Sequence, residues 1–407
     1  MRRILEGYRV LDLSRVLAGP WATQTLADLG AEVIKIERPG QGDDTRKWGP
    51  PFLKDREGRD TADAAYFLAA NRGKKSVTLD LSRPEGQAIA RDLAAKSDVV
   101  VENFKAGDLE RYGLDYAALA ALRPDLVYCS ITGFGQDGPY RDRPGYDFMI
   151  QGLGGLMSVT GERDDQPGGG PQKVGVAVAD LFTGMYAASA ILAALLHRSR
   201  TGEGQFIDLA LLDVQVAMLA NLGAAYLASG ASPGRLGNAH QVIVPYQVFR
   251  ASDGFLIVAV GNDAQYERFC TAIGAPELGR DARFATNPGR VAHREALVAE
   301  IARRLKARPA SEWLVALEGA GVPCGPINDL AGVFADPQVR HRGLVVTAPR
   351  SDAGDVRMVA SPMRFSATPV ACELAPPRLG EHTEEVLSAL LGLPAERIAD
   401  LRRRGLA

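Results

Sequence analysis

Strand-like and helix-like segments alternate along the first 131 residues, and this alternation constrains the fold more than any other feature of the chain. Runs typical of β-strands occupy residues 8–13, 32–36, 76–81, 98–101 and 126–131, and runs typical of helices occupy residues 21–29, 84–95 and 117–122. A succession of strand, helix and strand with short connections predicts a parallel sheet covered by helices. We therefore predict an α/β fold whose large domain is a doubly wound, Rossmann-like parallel sheet.

A chain of 407 residues is long enough for two domains. The stretch rich in Gly, Pro and Ser at residues 230–237 is the best candidate boundary. A hairpin with an Asp253-Gly254 turn and three helical segments follow it, which is typical of a small α+β domain. We predict a large domain from residues 1–229, a small domain from 230–335, and a segment from 336–407 that returns to the large domain.

Composition and charge exclude several classes of protein. The net charge is only −2, so we expect no binding to nucleic acid or to an anionic membrane, although local basic patches could hold a phosphorylated ligand. The N-terminus lacks an apolar signal segment and no uninterrupted apolar run reaches 18 residues, so we expect a cytoplasmic protein. Cys129, Cys270, Cys324 and Cys372 are far apart and the five histidines form no HExxH motif, so we expect neither a disulfide framework nor a metal site.

Basic residues follow several of the predicted strands. Arg15, Arg38, Arg83 and Lys105 each lie just beyond the carboxyl end of a strand or in the next loop. In a doubly wound sheet those ends face one crevice, where ligands bind. Singly, each of these residues is best explained as a solvated surface charge, but together they fit a ligand that carries several phosphates.

Asp180 occupies the junction between the strand-like residues 174–178 and a long apolar, helix-forming segment. An aspartate at such a junction is typically a helix N-cap. The positive end of the helix dipole would keep its carboxylate ionised at neutral pH. From this position alone, capping is a more common role than catalysis.

Eight short motifs occur in the order in which they occur in the class III CoA-transferases (the formyl-CoA transferase and carnitine CoA-transferase family), which this chain resembles from residue 5 to about residue 380. They are RVLAGP (15–20), EVIKIERP (32–39), NRGKKS (71–76), VENF (101–104), SITGFG (130–135), GP (138–139), GYD (145–147) and AVADLFTGMYA (177–187). The resemblance implies an interlocked homodimer in which each chain builds a Rossmann-like domain from both termini, with a small domain between. It also implies that acyl-CoA and a small carboxylic acid are substrates and that no cofactor is tightly bound.

The resemblance makes Asp180 the nucleophile. Its carboxylate would attack the thioester to give a mixed anhydride, and returning CoA thiolate would give an aspartyl-CoA thioester. The resemblance implies CoA contacts at Leu17, Ala18, Arg38, Leu79, Asp80, Leu81, Ser82, Asn103, Phe104, Lys105 and Arg111, with Tyr146 and Asp147 beside the thioester. Leu17, Leu79 and Tyr146 also fit ordinary packing roles.

Three further segments, GDDTR (42–46), GNAH (237–240) and IVPY (243–246), are similar to the dicarboxylate branch of the family, such as the succinyl-CoA:glutarate transferases. We therefore expect succinyl-CoA as donor and a dicarboxylate such as glutarate as acceptor. The distal carboxylate of such substrates calls for a cation, and His240, Arg46 and Arg72 are the candidates. Each of the three is also explained as an ordinary structural or surface residue.

Two departures from the family's motifs bear on alternative activities. Leu17 stands where formyl-CoA transferase has a glutamine, which disfavours oxalate and formate as substrates. Tyr146 stands where the related racemases of 2-methylacyl-CoA have a histidine, and tyrosine is a poor acid/base catalyst near neutral pH. A racemase or epimerase is therefore the second interpretation, and a non-catalytic acyl-CoA-binding protein is the third.

Overall fold

The computed structural model describes residues 3–370 and 373–407, so Cys372 lies outside the described residues. The strands are β1 (Arg9–Asp12), β2 (Glu32–Glu37), β3 (Phe52–Lys54), β4 (Asp60–Ala64), β5 (Lys74–Thr78), β6 (Val99–Glu102), β7 (Val127–Thr132), β8 (Gln205–Ala210), β9 (Tyr246–Arg250), β10 (Phe255–Ala259), β11 (Cys324–Pro326), β12 (Val345–Arg350) and β13 (Gly354–Val359). The helices are α1 (Ala18–Asp28), α2 (Ala65–Ala69), α3 (Pro84–Ala95), α4 (Tyr116–Leu122), α5 (Asp147–Leu153), α6 (Leu156–Val159), α7 (Val178–Thr201), α8 (Leu211–Ala217), α9 (Ala220–Ser229), α10 (Asp263–Ala272), α11 (Pro276–Arg280), α12 (Asn287–Ala292), α13 (Arg294–Leu305), α14 (Ala310–Gly319), α15 (Leu330–Ala335), α16 (Pro337–His341), α17 (Thr383–Leu391) and α18 (Ala395–Arg403).

The chain forms two compact units. The first comprises the described residues up to Gly155 together with Gly175–Ala220 and those from Gln338 onward, and the second comprises Leu156–Val174 and Asn221–Pro337. The predicted large domain includes residues 156–174, whereas the structure places them in the second unit. The reason is local bonding within the second unit, where the backbone N–H of Gly237 donates to the carbonyl of Gly161 at 3.0 Å.

The first unit contains the predicted doubly wound sheet. Six parallel strands lie in the order β5-β2-β1-β6-β7-β8, so the strand order reverses beside β1. Alternate residues of β1 face opposite sides: Val10 packs with the core formed by α1 and α7, and Leu11 with the core formed by α3, α17 and α18. This architecture confirms the predicted fold class, since burial on both faces is what a parallel sheet requires.

The second unit is built on a small antiparallel sheet in the order β11-β10-β9. The predicted hairpin is present, with Phe255 paired to Arg250 across the turn. Phe249 and Leu256 from the sheet pack with Phe269 of α10 in the unit's core.

One local prediction is wrong. Residues 174–178 form no strand with any described residue, because a β-branched run has little strand preference without a pairing edge. The helix-forming run at residues 211–228 is broken at residues 218–219 into α8 and α9. Ala220 adopts a positive φ of 45° at the break, where the chain passes from the first unit to the second. The sequence analysis also omitted the C-terminal helix α18.

Helix α7 packs closely against α1, and small residues make this approach possible. A Cβ on Gly184 would lie 2.7 Å from the carbonyl oxygen of Ala18 and 3.0 Å from the Cβ of Trp21. By length and composition α7 would also suffice to cross a membrane, although the core helix of a globular domain meets the same criteria. Ala187, Ala188 and Ile191 of α7 are buried in the core of the first unit.

We predict that Gly184→Ala destabilises the first unit even though alanine favours helix. The clash with backbone atoms of α1 should cost about 1–3 kcal/mol, more than the roughly 1 kcal/mol that alanine contributes to an exposed helical position. Thermal unfolding followed by circular dichroism measures the difference. Gly319→Ala in α14 is the matched control, because a Cβ there meets no atom within 4 Å and the substitution should be neutral or stabilising. Equal stability of the two variants would contradict the prediction.

Candidate active site

Asp180 lies in the first turn of α7, with a second carboxylate beside it. The residue at the N-cap position, Ala177, makes no side-chain capping bond. Instead, Oδ1 of Asp147 accepts a hydrogen bond from the backbone N–H of Ala179 at 2.8 Å and a longer one from that of Asp180 at 3.4 Å. The predicted capping role of Asp180 is therefore wrong, because Asp147 takes the free N–H groups of α7 from outside the helix.

The side chain of Asp147 is itself held in place. Nε2 of Gln151, which is fully buried one turn later in α5, donates to Oδ2 of Asp147 at 2.7 Å. One carboxylate oxygen thus binds α5 and the other binds the start of α7. The side chain of Asp147 therefore links α5 to the first turn of α7, which carries Asp180.

This arrangement changes the protonation of Asp180. Burial raises the pKa of its carboxyl group to about 7, and the negative charge of Asp147 adds to the effect. The sequence analysis expected an ionised carboxylate stabilised by the helix dipole. That expectation is wrong, because Asp147 occupies the helix N–H groups and loss of hydration outweighs the dipole.

Tyr66 is near this pair of carboxylates and was missed by the sequence analysis. Burial raises the pKa of its phenol, and the negative charges of Asp180, Asp147 and Asp43 raise it further. Its ring meets that of Trp48 edge to face, with centroids 5.2 Å apart. Both aromatic residues come from the polar region at residues 40–66 and belong to none of the motifs, so only the three-dimensional structure reveals this neighbour.

Asp180 opens into a cavity of about 240 Å³ in the first unit. Predicted site residues Leu17, Ala18, Asn103, Phe104, Lys105 and Tyr146 share its wall, together with Arg15, Val16, Ala106, Asp108, Ile131, Thr132, Gly133, Arg141, Arg143, Pro144, Gly145 and Leu211. The cavity lies at the carboxyl ends of β1, β6 and β7, as the doubly wound sheet predicts. Arg141 and Arg143 are additional cations that the sequence analysis did not identify.

The loop before α1 is held in a strained conformation at this cavity. Val16 has φ of 70°, which is unusual for a β-branched residue. Its N–H donates to the carboxylate of Asp43 at 3.3 Å, and the side chain of Asn103 bonds both the N–H and the carbonyl of Arg15 at 2.8 and 2.7 Å. Nζ of Lys35 donates to the carbonyl of Ser14 at 2.8 Å. These bonds fix the orientation of the segment that presents Leu17 and Ala18 to Asp180.

A second cavity of about 310 Å³ adjoins the first, since Arg15 and Phe104 line both. Its wall includes five more of the predicted CoA-binding residues, namely Arg38, Leu79, Asp80, Leu81 and Ser82. Leu79 is almost fully buried, whereas Arg38 pairs with no carboxylate among the described residues. Arg15 and Phe104 contact each other, since the guanidinium of Arg15 lies 5.5 Å from the centre of the Phe104 ring, and they form a wall common to both cavities.

Three predicted residues have other roles in the first unit. Arg46 is buried and donates to Glu37 and Asp63, and Arg72 is buried and forms a two-pronged pair with Asp28. The structure therefore corrects their assignment to substrate binding, because their guanidinium donors are used within the fold. Arg111 is exposed, lies against the ring of Tyr112, and lines neither cavity.

His240, the remaining substrate-binding candidate, lies in the second unit. Its Nδ1 accepts a hydrogen bond from the N–H of Val242 at 3.1 Å, and its ring lies 5.2 Å from that of Tyr246. A substrate-binding role for His240 stays a prediction.

Comparison with known proteins identifies relatives along nearly the whole chain. Residues 5–383 match the family model of CoA-transferase family III. A succinate–glutarate CoA-transferase of Agrobacterium fabrum is 53% identical over 386 residues, 95% of each chain, and a succinyl-CoA:glutarate CoA-transferase of Homo sapiens is 43% identical over 98% of this chain and 89% of its own. A crystal structure of a CAIB/BAIF family protein from Brucella suis has a TM-score of 0.85 at 51% identity, covering 96% of this chain and all of that one.

We predict that Asp180 titrates near pH 7 in the free protein and that Asp147→Asn lowers this pKa. Asparagine keeps an oxygen that can accept the N–H of Ala179 but removes the negative charge that opposes ionisation of Asp180. NMR of protein labelled with ¹³C at aspartate carboxyl groups measures the titration, with Asp180→Asn to assign the signal.

The matched control is Asp208→Asn, which removes a carboxylate that lies outside the Asp180 cavity. It should leave the titration of Asp180 unchanged. A wild-type pKa near 4, or equal effects of the two substitutions, would contradict the role given to Asp147.

Proposed function

The chain belongs to CoA-transferase family III, and from that premise we propose that it transfers CoA from succinyl-CoA to a dicarboxylic acid such as glutarate through covalent intermediates on Asp180. The observation that carries this proposal is the placement of Asp180, whose carboxyl group opens into a cavity lined by cations and contiguous with a second cavity at the strand ends. The named activities of the relatives from Agrobacterium fabrum and Homo sapiens support the choice of donor and acceptor.

The first half of the reaction releases succinate. The carboxylate of Asp180 attacks the carbonyl carbon of succinyl-CoA, the C–S bond breaks, and CoA leaves as its thiolate with a mixed anhydride on Asp180. The thiolate then attacks the aspartyl carbonyl of the anhydride. Succinate departs as the leaving group, and an aspartyl-CoA thioester remains.

The second half repeats these steps with the acceptor. A carboxylate of glutarate attacks the aspartyl-CoA carbonyl and expels CoA thiolate, giving a second mixed anhydride. The thiolate attacks the glutaryl carbonyl, so that glutaryl-CoA forms and Asp180 is released as a carboxylate. No proton is gained or lost over the cycle, since one thioester and one carboxylate are exchanged for another pair.

The raised pKa of Asp180 suits this chemistry. A carboxylate whose conjugate acid has a pKa near 7 is more basic, and hence more nucleophilic, than an ordinary one, while a large fraction is ionised at neutral pH. Tyr66 keeps its proton at that pH because burial and the neighbouring carboxylates disfavour the phenolate.

We predict that Asp180→Ala abolishes transfer while largely sparing CoA binding. With no carboxylate at this position neither covalent intermediate can form, so turnover should fall by about 10⁴-fold or more. The measurement is mass spectrometry of products after incubation with succinyl-CoA and a panel of carboxylic acids, and calorimetry for CoA affinity. Hydroxylamine added during turnover should convert Asp180 to a hydroxamate, which peptide mapping locates.

Asp208→Ala is the control for this experiment, because Asp208 lies within β8 and outside the Asp180 cavity. This variant should still form the hydroxamate at Asp180. Transfer without modification of Asp180 would refute the covalent mechanism. Exchange of the α-proton of a 2-methylacyl-CoA for deuterium without transfer would favour the racemase reaction instead.

A homodimer is part of the same proposal. Helix α7 leaves large apolar side chains exposed on the side away from its core, including Phe182 at 48%, Tyr186 at 49% and Leu196 at 53%. In the second unit, α9 exposes Leu227 at 84%. Contiguous apolar faces of this kind are usually covered by another protein surface, and a second copy of the chain is the partner expected for this family.

We predict a solution mass of twice the chain mass, measured by light scattering after gel filtration. Leu196→Arg, which places a charge on the exposed face of α7, should shift the population toward monomer. The control is Leu122→Arg, since Leu122 is equally exposed but lies on α4. A monomeric wild-type protein would contradict the proposal.

A further inference from the structure

We infer that Arg143 binds the distal carboxylate of the dicarboxylic substrate. The inference rests on the proposed function and assigns the residue that gives it specificity. Arg46 and Arg72 are both committed to buried ion pairs, so neither is free to bind a dicarboxylate, and the candidates in the first unit are the cations that line the Asp180 cavity.

Three cations line the Asp180 cavity without a carboxylate partner among the described residues: Lys105, Arg141 and Arg143. Arg15, by contrast, also lines the second cavity and pairs with Asp44 at 3.4 Å. An unpaired arginine presents a fork of N–H donors that matches both oxygens of a carboxylate, whereas lysine presents a point charge.

Arg143 is the pre-organised member of this set. Its guanidinium lies over the ring of Tyr140 at 3.9 Å, and Tyr140 in turn meets Phe134 edge to face at 5.5 Å. Phe134 packs against the core of the first unit. Stacking uses the face of the guanidinium and leaves the N–H donors at its edge free. The contacts with Tyr140 and Phe134 therefore orient Arg143 so that these donors can bind a carboxylate.

The backbone around Arg143 is also fixed. Gly133 and Gly145 lie so close that a Cβ on Gly145 would come within 2.2 Å of the Cα of Gly133. The loop from residue 133 to residue 145 is therefore closed at its base, directly before Tyr146 and Asp147. Because Asp147 bonds the N–H groups at the start of α7, only the three residues 144–146 separate Arg143 from the residue that contacts the first turn of the nucleophile's helix.

Arg141 is oriented differently. One of its terminal nitrogens lies 3.2 Å from the position that a Cβ on Gly107 would occupy, so this side chain extends over the loop that follows β6. It packs on no ring among the described aromatic residues. Arg141 therefore serves as the matched comparison, since it is an arginine of the same loop and the same cavity.

The test compares acids that differ only in the distal group. Pentanoate replaces one carboxylate of glutarate by a methyl group, and butyryl-CoA does the same for succinyl-CoA. Arg143→Gln should reduce kcat/KM for glutarate by about 100-fold while changing that for pentanoate by less than about 3-fold, as expected for loss of a charged, two-pronged hydrogen bond. Arg143→Lys should lose about 10-fold, because the charge remains but the fork is gone.

Arg141→Gln should leave the ratio of glutarate to pentanoate unchanged. Free CoA affinity, measured by calorimetry, should not differ between Arg143→Gln and the wild type, and its circular dichroism spectrum should be intact because the Arg143 side chain is exposed. Equal losses on both acids, or weaker binding of free CoA, would overturn the inference and indicate that Arg143 contacts phosphate.

The outcome also separates this inference from the proposed function. If the wild type transfers CoA but shows no preference for glutarate over pentanoate, the inference fails while the covalent transfer reaction stands. If the wild type transfers CoA from succinyl-CoA to no acid at all, the proposed function itself fails.

Discussion

The bond between the carboxylate of Asp147 and the first N–H groups of α7 determines the character of the site. A helix start can stabilise one carboxylate strongly, and here it stabilises Asp147 and not Asp180, the proposed nucleophile. Asp180, in the first turn of the helix, is left with neither free N–H groups nor full hydration. Its carboxylate is consequently basic, which is the property a nucleophile needs. The poorly hydrated carboxylate of Asp180 lowers the stability of the folded protein, as strained or poorly solvated groups at functional sites often do.

The walls of the site depend on buried charges beneath them. Asp43 pairs with Lys35 at 2.9 Å and also receives the N–H of Val16, so one ion pair supports the strained loop before α1. Arg46 joins Glu37 to Asp63, which ties the region after β2 to the β3–β4 hairpin. Removing one partner of such a pair typically costs about 3–5 kcal/mol, since the other charge is left buried. These cations are structural, and the cations left for ligands are those on the cavity surface.

The sequence predicts the parallel sheet better than it predicts the protonation and ion pairing of individual side chains. The alternation of strand-like and helix-like segments was enough to predict the doubly wound sheet. A strand that is buried on both faces needs a nearly continuous run of apolar residues, and such runs are visible in the sequence. The ordered motifs indicated Asp180, yet its protonation depends on Asp147, which is 33 positions away and meets it only in the folded chain. Arg46 and Arg72 could not be distinguished from free cations because Asp63 and Asp28, their partners, are 17 and 44 positions distant. Tyr66 belongs to no motif and is identified only by its three-dimensional neighbours.

The proposed covalent mechanism affects how the cavity can recognise the distal carboxylates of donor and acceptor. In the proposed reaction succinate departs before glutarate enters, so donor and acceptor would occupy the same cavity in turn and be bound by the same side chains. A single receptor for the distal carboxylate would then serve both. Because succinate and glutarate differ by one methylene, that receptor would have to tolerate a small change in distance from Asp180. An arginine stacked on an aromatic ring provides that tolerance, since its edge donors reach a carboxylate over a range of positions while its face remains in contact with Tyr140.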